Sequence, residues 1–434
     1  MRDVDPDAWT PPADFVSVPS TVDGVELWGP RPAEDDASAW ALQSTKCPQC
    51  GASAAFDPGA GALTCRFCGY VQEQQARTVG TAAEQNEFTL EALRQFEQGW
   101  GVERRELHCS DCGANLAVEE GGMTATCPFC SSNHVNLQEA TQAGIRPKFL
   151  IPFAVKTDVL EKNLRTFLGK GWMFPSSLAQ LAKTDKFVGI YLPFWVFDAR
   201  MDGIWRAQIG HPHTVTYWEN GKPKTRTEIR WKWESGGASD TVKGLLVPGT
   251  TKISAKIAQR VEGFELGALK EYAPAFLAGW RAMTYDLALP EAWDRGRARM
   301  REQNRATNEA QAQRRTGHVR SFTMTADFED ERWRYVLLPM YVSAYVYGGK
   351  TYQVLVNGQT GEVAGQKPVA WWRIAAAIAA ATTPSIFVGI CLAVPLTLFA
   401  GIGFVVMIIG FLMFLGALWW GWGLWQRALD AESA

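Results

Sequence analysis

The chain has 434 residues, of which 47% are hydrophobic and 20% charged, with a formal net charge of −2. That length suits about three domains, and that composition excludes a wholly disordered or collagen-like chain. The charge is unevenly spread: residues 1–145 hold 21 acidic and 8 basic side chains, a net of −13, which leaves +11 for the remainder. Each part therefore suits a different partner, and the N-terminal part is a poor match for a phosphate backbone, which is gripped by Lys and Arg.

Residues 1–45 are acidic and rich in Pro, Asp and Ala, and read as a flexible acidic arm in which Val25-Glu26-Leu27-Trp28 has the composition to dock locally. The first six residues, Met1-Arg2-Asp3-Val4-Asp5-Pro6, lack the apolar core of a signal peptide. Eight of the nine cysteines fall in four Cys-x2-Cys pairs. Without an export signal, such pairs read as thiolate metal ligands in a reducing compartment, so the soluble part is expected in the cytosol.

Cys47 and Cys50 are followed after 14 residues by Cys65 and Cys68, and the same spacing joins Cys109 and Cys112 to Cys127 and Cys130. Each Cys-x2-Cys turn places two sulfurs beside one ion, and the intervening hairpin returns the second pair to complete a tetrahedron. We expect two zinc ribbons, over residues 46–75 and 108–137, each holding one structural Zn²⁺ with no open coordination position. Gly51, Gly69 and Gly113 follow three of the pairs, where a knuckle turn requires positive φ. His108 and His134 lie beside complete cysteine sets and are read as bystanders. Residues 76–107 are expected to connect the ribbons through a helix, since Phe88, Leu93, Phe96 and Trp100 recur at helical spacing from Glu87 to Leu107.

Residues 146–370 read as an α+β domain close to the membrane. Asp158 is placed to cap a helix reaching about Leu168, with Leu160, Leu164, Phe167 and Leu168 on one face. Val188–Ile209 and Val336–Val356 are rich in β-branched and aromatic residues, and Asn220-Gly221, Gly348-Gly349 and Asn357-Gly358 are turn signals. Ile151-Pro152, Leu192-Pro193 and Leu338-Pro339 repeat an apolar–Pro pair expected to open three strands, because a first strand residue needs no ladder donor. His211 and His213 flank Pro212 in a strand–loop region without a nearby carboxylate in sequence, which favours a surface loop over a site. The arginine-rich stretch Asp294–Arg315 has few apolar positions and is expected to be a solvated helix or linker, with anionic headgroups as its candidate ligand.

From Ile374 to Gln426 there are 53 residues without a charge. One helix of that length would be about 80 Å long against a hydrocarbon core of about 30 Å, so residues 371–427 are expected to form a two-helix transmembrane hairpin. The helices are placed at Arg373–Pro395 and Gly403–Trp425, with a turn at Ala400-Gly401. Lys367, Arg373 and Arg427 mark the flanks as cytoplasmic, and Trp371, Trp372, Trp422 and Trp425 fall at one interface. The protein is thus expected at the cell membrane, two-pass, with both termini and the bulk of the chain cytoplasmic.

The cysteine modules, the run Tyr191–Ala199, and Leu337-Leu338-Pro339-Met340-Tyr341 followed by Val356–Gly361 together resemble a bacterial family of membrane-anchored, TFIIB-type zinc-ribbon proteins. Some of its members carry a primosomal protein N′-like helicase label. The resemblance implies association with phage-shock-type and flotillin-like membrane-stress proteins. The helicase label finds no support, since the chain lacks the Gly-x4-Gly-Lys-Ser/Thr loop that cradles a nucleotide. The expected function is a non-enzymatic adaptor that docks cytosolic or membrane-associated protein partners at the bilayer; nucleic acid is not an expected partner. The alternative is a nucleic-acid-binding zinc-ribbon protein tethered to the membrane. An enzyme is the third reading, but no Ser/His/Asp set or His-Glu-x2-His is present, and Asp198, Asp202 and Asp240 read as strand-edge or turn residues.

Overall fold

The structure is a computed structural model that describes residues 15–18, 27–30, 46–74, 76–87, 105–118, 127–132, 134–139, 145, 147–181, 187–392 and 403–433. Within the expected flexible arm, strands β1 (Phe15–Val18) and β2 (Leu27–Pro30) pair antiparallel. Strands β3 (Ala55–Asp57), β4 (Ala62–Thr64) and β5 (Val71–Glu73) form the small sheet of the first cysteine module. The expected connecting helix falls largely outside the described residues. Its described ends are β6 (Asn86–Glu87) and the start of β7 (Arg105–Cys109), both strands.

The rest of the chain ahead of the C-terminal helices is mixed α/β, built on one 12-stranded sheet. The second module supplies β7, β8 (Asn115–Val118) and β9 (Val135–Glu139) to it. There follow β10 (Phe149–Leu150), helix α1 (Thr157–Gly169), β11 (Val188–Glu219), β12 (Lys222–Pro248), helix α2 (Ala255–Arg260), β13 (Lys270–Glu271) and β14 (Arg281–Met283). Helix α3 (Leu289–Thr316) leads into β15 (Val319–Tyr347), β16 (Lys350–Asn357) and β17 (Val363–Gly365). The expected helix thus exists as α1, but Lys156 is its N-cap and Asp158 lies inside the first turn.

Strands β11 and β15 are buried on both faces over Ile190–Phe197 and Trp333–Ser343, which is why these stretches read as near-continuous apolar runs. Tyr191, Trp195 and Phe197 face one cluster with Leu160 and Leu164 of α1, Trp293 of α3 and Phe56 of the first module. Ile190, Leu192, Phe194 and Val196 face a second cluster with Ile257 of α2 and with Leu107, Leu116 and Phe129 of the second module. The two cysteine modules therefore pack against opposite faces of the same central strand pair.

None of the three prolines opens a strand: Pro152 follows β10, and Pro193 and Pro339 lie inside β11 and β15. Tyr191 pairs with Pro339, and Pro193 with Leu337. On its other edge, β11 pairs with β14 at Ile190–Tyr191 and with β12 from Phe194 onward. Likewise β15 pairs with β10 at Val336–Leu337 and with β16 from Met340. Pro193 and Pro339 each sit in the gap between two neighbours, where no ladder N–H is needed.

Strands β11, β12 and β15 have 32, 27 and 29 residues. At about 3.3 Å per residue β15 spans about 95 Å, so the three strands project as a blade beyond the core. Helix α3 lies along it, and its buried positions Ala292, Gly296, Met300, Asn304, Asn308 and Ala312 recur every fourth residue. The expected solvated helix is thus half-buried; the sequence hides this because glycine, asparagine and alanine serve as its contact residues. At Gly203 the helix and sheet approach too closely for a side chain, and at Gly296 a Cβ would stand a tight 3.1 Å from the Phe197 ring. Arg297 pairs with Glu331, and Arg299 with Glu262 at 2.7 Å and with the Leu246 carbonyl. These contacts tie α3 to β12, to β15 and to the segment after α2.

Two helices close the chain: α4 (Trp371–Ile386), continued by a π-helical segment Phe387–Leu392 after Pro384, and α5 (Gly403–Ser433). Both are long and apolar enough to cross a membrane, over Trp371–Gly389 and Phe404–Glu432. Their apolar side chains, such as Phe404, Phe411, Leu412 and Trp419, are exposed, unlike those of a core helix. The two helices meet at Gly389 and Gly410, where a Cβ on Gly410 would lie 2.5 Å from the Gly389 Cα. The expected turn at Ala400-Gly401 lies outside the described residues. The rings of Trp371 and Trp425 meet with their centroids 4.8 Å apart and their planes tilted by 48°. The second helix runs past Trp425 and docks on the soluble body, where Lys350 pairs with Glu432 at 2.9 Å and the Lys367 N–H donates to the Ala431 carbonyl. Arg373 donates to the carbonyls of Trp172 and Phe174.

Candidate metal centres

Each cysteine pair sits in the same backbone turn. The N–H groups of Gly51, Gly69, Gly113 and Ser131 donate to the carbonyls of Cys47, Cys65, Cys109 and Cys127. Those four residues have φ of 73°, 77°, 68° and 60°. Three are the glycines singled out in the sequence; the fourth turn tolerates Ser131, whose hydroxyl donates to the Ala344 carbonyl at 2.8 Å. The turn aims the following N–H groups at sulfur. The N–H groups of Cys68 and Phe67 hold the Cys65 thiol down at about 6. Burial pushes Cys109 up, but the N–H groups of Cys112 and Asp111 draw it down to about 7. Cys65 and Cys109 are thus the most readily ionised thiols of their sets, whereas Cys50, Cys68, Cys112 and Cys127 are raised above the usual thiol range.

The structure brings all eight predicted ligands together in two sets of four, Cys47, Cys50, Cys65 and Cys68, and Cys109, Cys112, Cys127 and Cys130, with the sulfurs of each set within 4.8 Å of one another. The Cys47–Cys68 and Cys50–Cys65 sulfurs are 3.5 Å apart, and the Cys109–Cys130 and Cys112–Cys127 sulfurs 3.7 Å. These distances are far from a disulfide and close to the edge, about 3.8 Å, of a tetrahedron with metal–sulfur bonds of about 2.3 Å. The donor set fits one tetrahedral metal ion per cluster. Neither histidine joins the sulfurs: His108 Nδ1 meets Asn115 Oδ1 at 2.7 Å and His134 Nδ1 meets Asp111 at 3.1 Å.

The two modules differ in what surrounds them. In the Cys127-Pro128-Phe129-Cys130 knuckle, Phe129 is 2% exposed, and its carbonyl accepts from Gln353 Nε2 at 3.0 Å. In the Cys65-Arg66-Phe67-Cys68 knuckle, the matching Phe67 is 81% exposed. The repeat of Phe before the fourth cysteine was visible in the sequence; its opposite environments were not.

The other titratable candidates have partners that sequence distance concealed. His211 Nε2 meets Glu234 Oε1 at 2.6 Å, and His213 is 4.0 Å from Glu228, across the β11–β12 ladder rather than in a loop. Asp202 accepts from Arg200 at 3.0 Å and Asp240 from Asn304 at 2.7 Å, so both are structural. Asp198 is different, because it faces a cleft lined also by Lys243, Arg332 and Arg334, residues that no local motif marks.

No family model matches the chain, and no solved structure matches it. It is 26% identical over 339 residues to an uncharacterized protein of Bacillus subtilis strain 168, YdjG, covering 77% of this chain and 92% of that relative. YdjG is a protein that this chain resembles over most of its length.

Proposed function

We propose that the protein is a non-enzymatic, membrane-anchored zinc-ribbon adaptor that docks protein partners at the inner face of the membrane. Each cysteine cluster holds a structural zinc ion: four thiolates complete its tetrahedron, leaving no position for substrate or water. The two C-terminal helices cross the bilayer as a hairpin with both ends cytoplasmic. The family of TFIIB-type zinc-ribbon proteins and a role in envelope stress belong to the same reading.

The exposed Phe67 knuckle carries the adaptor reading. The second module uses the equivalent phenylalanine to bind a protein surface, namely the body of its own chain. The first module presents the same apolar tip outward, on a part of the chain with net charge −13. A buried aromatic anchor is the kind of residue that dominates an interface. The partner is therefore a protein with an apolar pocket and a basic rim. In a crosslinked pull-down of the detergent-solubilised protein, Phe67→Asp is expected to reduce partner recovery by about tenfold or more, with metal content unchanged. Unchanged recovery, or tight salt-sensitive binding of nucleic acid by residues 1–145, would overturn this reading.

A further inference from the structure

Midway along the blade, the central strand meets two bulges at one level. Lys243 and Gly244 of β12 together oppose Asp198, and Asp330 and Glu331 of β15 together oppose Ala199. Gly244 has φ of 72° and Asp330 φ of 52°, so both strands leave extended geometry here. A Cβ on Gly244 would lie 2.7 Å from Leu266. Paired bulges re-aim side chains and open a sheet locally. The result is a cleft of about 470 Å³, closed on one side by Thr81 and Gln85.

Its wall is cationic. Arg334 is 4% exposed; its Nη1 donates to the carbonyls of Ala83 and Thr81, and its Nη2 lies 3.8 Å from Asp198. The Arg334 Nε is buried without an acceptor, which costs free energy unless a further oxygen is supplied. Asp198 also accepts from the Gly244 N–H at 2.6 Å and from Gln85. Arg200 is neutralised by Asp202 and Glu329. Lys243 and Arg332 at the mouth are exposed and have no ion-pair partner among the described residues; Asp330 is the acid beside them.

We infer that this cleft binds a small, soluble, phosphate-bearing anion, held by Lys243 and Arg332 at the mouth and by Arg334 at the floor. Guanidinium groups match phosphate oxygens in geometry as well as charge, and two unpaired cations suit a ligand with at least two negative charges. A lipid headgroup is the wrong source. Tyr347, at the other end of β15, lies beside Trp371 and Trp372 at the start of the membrane helices, and Arg332 is about 50 Å from it along the strand.

Calorimetric titration of the full-length, detergent-solubilised protein with inorganic pyrophosphate tests the site. Saturable one-to-one binding is expected, weakened at least tenfold in Lys243→Gln/Arg332→Gln, whose thermal midpoint without ligand stays at the wild-type value. Arg206→Gln/Lys232→Gln removes the same charge further out on the blade and should bind as wild type. Absence of saturable binding, equal affinity in the cleft variant, or equal weakening in the distal variant would each overturn the inference.

Discussion

Gly203 lies in β11 beneath the midpoint of α3. A Cβ there would stand 2.1 Å from Asn304 Oδ1 and 2.7 Å from Asn308 Nδ2. Neither asparagine can yield cheaply. Asn304 Nδ2 donates to Asp240 and to the Ala238 carbonyl, and Asn308 Nδ2 donates back to Asn304. Both are fully buried, and a buried amide displaced from its partners loses more than a net hydrogen bond is worth. Gly203→Ala is therefore expected to destabilise the protein by about 2 kcal/mol, as overpacking typically does. A thermal midpoint equal to that of the wild type would show that α3 is not seated as described.

At the scale of elements, the two cysteine modules share a turn geometry but not an environment. Cys50 and Cys68 of the first module are exposed, whereas Cys112 and Cys130 of the second are half-buried and its strands belong to the large sheet. Metal release requires a ligand to detach and meet a competitor, so opening a module that shares the core of the body is harder. Purified protein is expected to carry two zinc ions per chain and to lose them to a chelator in two phases. Cys47→Ser should abolish the fast phase and Cys109→Ser the slow one. A single phase, or one zinc ion per chain, would contradict two separate centres.

For the whole molecule, the arrangement of the C-terminal helices against the body constrains topology. Arg373 at the start of α4 and Glu432 near the end of α5 both contact the soluble part. A hairpin anchored at both ends to one body presents both ends on one side of a bilayer. Reporters fused at Met1 and after Ala434 are expected to respond as cytoplasmic, and a tag inserted at Gly401 as accessible from the opposite side. Opposite responses from the two termini would leave only one helix spanning. With the helices in the bilayer, the base of the blade lies near the membrane, and its tip at Asn220-Gly221 is more than 100 Å away along the strands.

The sequence by itself determined the two four-cysteine sets, the two apolar helices and the hairpin turns. These features are local: Cys-x2-Cys turns need positive φ at one following residue, spanning helices need an unbroken apolar run, and Asn220-Gly221 and Gly348-Gly349 place positive φ where two-residue hairpins require it. The buried leucines of α1 were equally legible from their spacing. Only the tertiary structure decided what non-local pairing controls. Pro193 and Pro339 lie inside strands because neighbours change beside them. Helix α3 is half-buried because glycine and asparagine, which carry no apolar signal, form its contact face. His211 finds Glu234 across a ladder 23 residues away in sequence. The anion cleft, and the exposure of Phe67 against the burial of Phe129, arise where distant segments meet, and no window along the chain contains that information.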